Sequence, residues 1–401
     1  MRLYDTATRT VMEVTPRDGR VGIYVCGITP YDAAHLGHAF TYHVFDVITR
    51  RLRSDGVSVR HVRNVTDVDD DLLRAARERH TDFRVLASDQ VAQFDRDMSE
   101  IGLLAVDADP RATGHVPEMV EWIARLADTG VAYERDGWVY FDVTLFPPYG
   151  NLSKLDEAAM TTLSKLRGAD PDDLRKRHPL DFVLWQRSGE GEPRWPSPWG
   201  DGRPGWHIEC SVLSTGELGH PIDIHGGGDD LIYPHHESEI AQAEAIGVQP
   251  YVRHWVHAAM VRLHDEKMSK SLGNLVFVRD LLDKAPGAAV RLLLAAHHYR
   301  ESWTYEAGEL ADAETRRRRL FDALRSGSAL ETAHAGELQQ RFYERVDDDL
   351  DTPGALRVLD EAAEALSQSV LRSGAPRAVS AEEVMAPMHD ILGVAVTSEV
   401  A

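Results

Sequence analysis

The chain has 401 residues, 43% hydrophobic and 27% charged, the composition of an ordinary globular protein long enough for two or three domains. A net charge of −21 argues against a broad basic field for nucleic acid, and no apolar run approaches the ~18 residues of a membrane span. The opening "MRLYDTATRTV" lacks the apolar core of a secretory leader, and two cysteines, Cys26 and Cys210, do not make a disulfide framework, so a cytoplasmic protein is expected.

In chain order, "RVGIYVCGIT" alternates apolar residues at Val21, Ile23 and Val25 and then meets Gly27, which predicts a strand ending in a loop. From about His38, the residues Phe40, Val44, Phe45, Ile48 and Leu52 recur at helical spacing, and "VSVRHVRNVT" predicts a second strand. Strand, glycine loop, helix and strand make a βαβ unit, so the expected class is α/β with a parallel, Rossmann-like sheet. Residues 70 to 135 are mostly helical in pattern, and residues 140 to 205 predict an irregular insertion rich in Pro, Gly and Trp. "PIDIHGGGDD" returns to strand and glycine loop, followed by a helix at "HHESEIAQAEAIG" and a strand leading into the polar loop "KMSKSLGN". After Glu306 the pattern is only helical, with "SGSALETAHAG" as a loop. The expected divisions are 1–135 and 206–305 for the two halves of a nucleotide-binding domain, 136–205 for the insertion and 306–401 for a helical domain. The run Arg316 to Arg319 lies beside Asp312 and Glu314 and predicts a solvated, salt-bridged helix surface.

The stretch "HLGH", with His35, Gly37 and His38, follows the first strand, at the sheet edge where ligands bind and where a helix N-terminus offers free N–H groups to phosphate. Gly37 lets a nucleotide base approach the backbone, and the two imidazoles can donate to phosphate oxygens. Lys267 and Lys270, three apart in "KMSKS", can both meet a polyphosphate and stabilise the charge that spreads over it in a transition state. Together the two loops resemble the catalytic core of class I aminoacyl-tRNA synthetases. The resemblance implies activation of an amino-acid carboxylate by Mg2+-bound ATP, with His35, His38, Lys267 and Lys270 as the catalytic set.

The two cysteines point to the amino acid. His235 and Glu239 stand four apart on the predicted helix and share a face, whereas His236 turns about 100° away. With Cys26 and Cys210 they make two thiolates, one imidazole and one carboxylate, a tetrahedral set for a single Zn2+. A zinc that accepts a substrate thiolate would reject serine and alanine, so the metal is expected to select cysteine. This arrangement is similar to that of cysteinyl-tRNA synthetases and of their relative, the cysteine ligase of mycothiol biosynthesis. Segments carrying the resemblance run from "LYDTATR" through "RNVTDVDD", "GRPGWHIEC" and "LLAAHHYR". It implies adenylate contacts from Cys26, Gly27, Ile28, Thr29, Thr41, Asn64, Val65, Thr66, Trp206, Gly228, Asp229, Asp230 and Val261. Thr29, Thr66 and Trp206 would enclose the cysteinyl part, and Asp230 would bond the ribose.

The string "ITPYD", the segment "LRGADPDD" and a short acidic tail after "KMSKS" favour the mycothiol-type ligase. The expected partners are then L-cysteine, ATP and an amine acceptor, glucosaminyl-inositol, with no tRNA and no membrane, in a monomer. Glu239 keeps the fourth ligand of the synthetase pattern, and cysteinyl-tRNA synthetase is the alternative. A catalytically inactive amino-acid-binding relative is a third reading, which the intact motifs oppose.

Overall fold

The computed structural model describes residues 1–31, 34–264, 266–268, 274–373 and 377–394, with Glu266 and Lys267 described by their backbone alone. The chain opens with a hairpin of β1 (Arg2–Asp5) and β2 (Thr10–Glu13). Next come β3 (Arg20–Ile28), α1 (Leu36–Ser54) and β4 (Ser58–Val65), the βαβ unit that the sequence predicts. β3 and β4 pair in parallel from Arg20 opposite Ser58 to Ile28 opposite Val65. Helices α2 (Asp70–Glu78), α3 (Phe83–Glu100) and α4 (Val116–Asp128) follow.

Residues 132–204 are more regular than their composition suggests. β5 (Ala132–Arg135), β6 (Trp138–Phe141), β7 (Phe182–Arg187) and β8 (Gly202–Pro204) form an antiparallel sheet, with α5 (Glu157–Leu166) between β6 and β7. The Pro and Gly turns lie in the connections. The strands are held by aromatic pairs across long sequence gaps, such as Phe141 stacked on Phe182 with ring centres 4.9 Å apart.

The second half of the parallel sheet comprises α6 (Trp206–Leu218), β9 (Ile222–Gly228), α7 (Glu237–Ala245) and β10 (Val252–Ala258). The strand order is β10-β9-β3-β4, parallel throughout, so β3 and β9 are neighbours and their carboxyl ends open one crevice where the two halves meet. The glycine run in β9 lets α1 lie close on the sheet. A Cβ on Gly226 would stand 2.5 Å from the Phe45 ring and 1.9 Å from the Val256 carbonyl oxygen.

Beyond the sheet come β11 (Val261–Leu263), β12 (Glu266–Lys267), α8 (Val278–Leu282), α9 (Gly287–Ala295) and β13 (Trp303–Thr304). The helices α10 (Ala307–Arg325), α11 (Thr332–Asp347), α12 (Thr352–Gln368) and α13 (Ala381–Leu392) close the described chain. The expected loop at 326–336 is instead part strand and part helix: β14 (Ala329–Glu331) pairs with β15 (Ala378–Ser380), and α11 starts at Thr332. Buried Leu330 and Ala335 explain this, because both pack into the apolar core. The arginine run is salt-bridged as predicted: Arg317 and Arg318 pair with Glu314, and Arg316 and Arg319 with Asp360.

The helical tail is tied to α1. Fully buried Arg291 of α9 pairs with Asp46 of α1 and donates from Nε to the Leu392 carbonyl oxygen at the end of α13, 2.6 Å away. Arg51 of α1 meets Asp347 of α11 at 2.7 Å. No helix among the described residues is long and apolar enough to cross a membrane.

Candidate active site and metal centre

Cys26 stands near the end of β3 because the apolar alternation of that strand turns it to the face that α6 and α7 cover. α6 supplies Cys210, α7 supplies Glu239, and the turn Ile232–His236 before α7 supplies His235. One donor atom from each of these four residues lies within 4.8 Å of every other, and all four residues are buried. The two sulfurs are 3.6 Å apart, Cys26 Sγ is 3.5 Å from Glu239 Oε1, and His235 Nε2 is 3.2 Å from the same oxygen. A tetrahedral zinc with ordinary bond lengths requires edges of about 3.8, 3.5 and 3.4 Å for these pairs. The donor set therefore fits such an ion in both chemistry and dimensions.

The electrostatics agree. Burial and the neighbouring Cys210 push the Cys26 thiol well up, and burial also raises Cys210. Burial alone would raise the Glu239 carboxyl, but His225 holds it below the usual range. Oε2 of Glu239 meets His225 Nε2 at 2.9 Å and accepts from the Tyr251 hydroxyl at 2.8 Å, leaving Oε1 for the cluster. Burial lowers the His235 pKa to about 3, so its ring is neutral and able to ligate. Two bare thiolates are disfavoured here, and a divalent cation would supply the missing positive charge.

One expectation needs correction. His236 does not turn away from the cluster: its Nε2 lies 3.2 Å from Cys26 Sγ. His235 and His236 are about 100° apart around the helix, yet they stand four and three residues before Glu239, and both separations put a ring beside it: His236 Nε2 is 3.9 Å from Glu239 Oε1. Cys26, His225 and His236 accordingly form a second, overlapping donor group of three.

Around this centre the structure gathers many of the residues assigned to adenylate contacts. Gly27 N–H donates to Asn64 Oδ1 at 2.7 Å, and Asn64 Nδ2 donates to Thr66 Oγ1 at 3.1 Å. Gly27 is required by close approach: a Cβ there would stand 1.5 Å from the Asn64 carbonyl oxygen. Ile28 pairs with Val65 across the strands and accepts from Thr66 N–H at 3.1 Å, and Thr29 follows at the strand end. Trp206 stacks on the His235 ring with centres 4.3 Å apart. Across the crevice, an added Cβ on Gly228 would meet Asp230 Oδ1 at 2.6 Å and Thr41 Oγ1 at 3.9 Å, so those three converge, with Asp229 beside them in the turn Asp229–Leu231. Val261 is buried and pairs with Trp303.

His35 caps α1, its Nδ1 accepting from His38 N–H at 3.3 Å, and the two rings stack with centres 3.7 Å apart. Gly37 lies beneath them: a Cβ would come within 3.1 Å of the His35 ring. The "KMSKS" loop lies mostly outside the described residues. Lys267 is seen only as backbone, in β12 against Arg262, and Lys270 falls outside them.

Besides setting His236 aside, the sequence reading missed His225, His257, His207 and Tyr251, which lie around the cluster. Each of these four sits in or beside an apolar stretch that reads as ordinary core. The signal available was the number of histidines between 207 and 257.

A sequence profile described as "tRNA synthetases class I (C) catalytic domain" matches residues 12–315. The chain belongs to the class I (C) tRNA synthetase family. A cysteine-tRNA ligase of Chromohalobacter salexigens is 46% identical over 371 residues, covering 92% of this chain and 80% of that protein. One of Hahella chejuensis is 42% identical over 403 residues, covering 98% and 85%. Among solved structures, Mycobacterium tuberculosis methionyl-tRNA synthetase with methionyl-adenylate superposes with a TM-score of 0.64 at 17% identity, covering 87% of this chain and 82% of that one. The Agrobacterium radiobacter agnB2 LeuRS in a ternary complex with tRNA and LeuAMS gives 0.63 at 12% identity, covering 95% and 84%. These structural likenesses carry the fold alone. As a class I synthetase, the chain is an ATP-dependent ligase with the α/β architecture of that class.

Proposed function

We propose that the chain activates L-cysteine with Mg2+-bound ATP to cysteinyl-AMP and transfers the cysteinyl group to the 3′ end of tRNA. The observation that carries the cysteine reading is the buried donor set of Cys26, Cys210, His235 and Glu239, with edges matching those of a tetrahedral zinc, at the carboxyl end of β3. A zinc held by these residues would favour the thiolate form of the substrate side chain and so select against serine and alanine.

The chain's own residues do the rest. Trp206, stacked on His235, walls the amino-acid side with Thr29 and Thr66. Asp230, next to Thr41 and Gly228, accepts the ribose hydroxyls. His35 and His38 sit at the N-terminus of α1, where N–H groups and the helix dipole favour phosphate. As the substrate carboxylate attacks the α-phosphorus and pyrophosphate leaves, these two rings, with Lys267 and Lys270, stabilise the charge on the transferring group.

The acceptor reading rests on relatives 42% and 46% identical that are cysteine-tRNA ligases, and it replaces the amine acceptor suggested by "ITPYD" and "LRGADPDD" as the favoured one. Those two strings keep glucosaminyl-inositol as the second reading. The deciding experiment gives the purified chain cysteine, ATP and either cysteine tRNA or glucosaminyl-inositol. Charged tRNA supports the proposal; amide product in its place supports the second reading. Absence of cysteine-dependent pyrophosphate exchange would favour a binding protein over either.

A further inference from the structure

The N-terminal stretch "LYDTATR" has no part in the chemistry above, yet it is fastened to the metal centre's surroundings. Asp5 Oδ1 accepts from Trp255 N–H at 2.8 Å, and Thr6 N–H donates to the Trp255 carbonyl oxygen at 2.9 Å. These bonds set Thr6 against β10, with Thr6 Oγ1 2.7 Å from His257 Nδ1. His257 Nε2 lies 2.7 Å from His236 Nδ1, and His236 Nε2 lies 3.2 Å from Cys26 Sγ. The Trp255 ring packs on His236 with centres 5.0 Å apart and runs nearly parallel to His257, with centres 6.3 Å apart. The result is one line of contacts, from Thr6 on the wall of a cavity of about 340 Å3 to the sulfur of a proposed zinc ligand.

A neutral imidazole has one N–H and one lone pair, so a line of two must point one way throughout. Burial holds His257 neutral, its pKa lowered to about 3. A zinc-bound thiolate only accepts. Its partner, His236, must then carry its proton on Nε2 and accept at Nδ1. His257 must likewise donate from Nε2 and accept at Nδ1, which leaves the Thr6 hydroxyl as the donor that starts the line.

We propose that Thr6 is a positioning residue that fixes the tautomers of His257 and His236, so that the His236 N–H is aimed at the Cys26 sulfur. The inference rests on Cys26 being a zinc ligand, as proposed above. A hydrogen bond made directly to a metal ligand, as the His236 N–H would make to Cys26, is worth roughly 10- to 100-fold in metal affinity.

The test uses the full chain loaded with zinc and labelled with 15N in its histidine rings. The expected result is one zinc per chain and Nε2–H tautomers for both His236 and His257. Thr6→Val, which keeps the shape and removes the hydroxyl, should add the Nδ1–H tautomer at His257 and weaken zinc binding in chelator competition, by up to the roughly tenfold of a direct outer bond. Thr6→Ser should restore both. A wild-type chain that takes up no zinc would overturn the metal reading and this inference together. Zinc taken up with the tautomers reversed, with the metal on His236 itself, or with both readouts unchanged in Thr6→Val would overturn the role of Thr6 alone.

Discussion

Cys26 Sγ and Cys210 Sγ lie 3.6 Å apart although 184 positions separate them in the chain. The distance is far too long for a disulfide of about 2.05 Å and close to the sulfur separation on a shared tetrahedral ion. Both cysteines are buried in the same cluster of side chains, so the pairing is made by the packing of α6 against β3. Cys210→Ser should therefore abolish stoichiometric zinc, because a hydroxyl is a poor ligand at neutral pH. Metal analysis of the purified variant checks this, and about one zinc per chain would count against the assigned ligands.

Trp206 tests the amino-acid side. Its ring stacks on His235, and aromatic stacking is worth about 0.5–1.5 kcal/mol beyond area burial. Trp206→Ala should raise the KM for cysteine by roughly three- to tenfold or more, with the KM for ATP changed little, in a pyrophosphate-exchange assay. Equal changes in both constants would place the ring elsewhere in the reaction.

Gly27→Ala tests how tightly β3 and β4 are joined at the site. The new methyl would overlap the Asn64 carbonyl oxygen, so the strands must separate at their carboxyl ends. The expected outcome is a lowered Tm and loss of pyrophosphate exchange. A variant with wild-type stability and exchange would show that the strand ends are looser than described.

The junction between the tail and α1 sets a pH dependence. Burial would raise the Asp46 carboxyl, but Arg291 and then Arg50 outweigh it and hold it below the usual range. A carboxyl depressed in the folded state adds stability above its unfolded pKa, about 3.9, and that stability is lost as pH falls through the lower folded value. The wild-type chain should lose more stability than Asp46→Asn as pH drops below about 4 in denaturant titrations. At neutral pH the same variant should be less stable by roughly 3–5 kcal/mol, since it leaves Arg291 charged and buried without its partner.

Much of this was legible in the sequence because it is carried by local pattern. The alternation around Val21 to Val25, the helical spacing from Phe40 to Leu52 and the strand at Ser58–Val65 sufficed for a parallel sheet. The four candidate donors that the structure brings together could be named from the sequence because only two cysteines exist and His235 and Glu239 stand one helical turn apart. What escaped depends on contacts between distant segments. The sheet at 132–204 is assembled by aromatic pairs such as Phe141 and Phe182, which no local period records. His236 escaped because the step of about 100° from His235 does not carry it off the face: it stands three residues before Glu239, and i, i+3 neighbours also meet. His225 and His257 lie inside strands whose pattern reads as core, and their polarity serves bonds to Glu239 and Thr6.

Selectivity for cysteine at the buried donor cluster is measured most directly by ATP–pyrophosphate exchange by the zinc-loaded chain with cysteine, serine and alanine in parallel. Exchange is expected with cysteine, and at rates lower by orders of magnitude with serine and alanine, because neither can present a thiolate to the site. Exchange with serine comparable to that with cysteine, or cysteine exchange unchanged in a zinc-free Cys210→Ser variant, would contradict it.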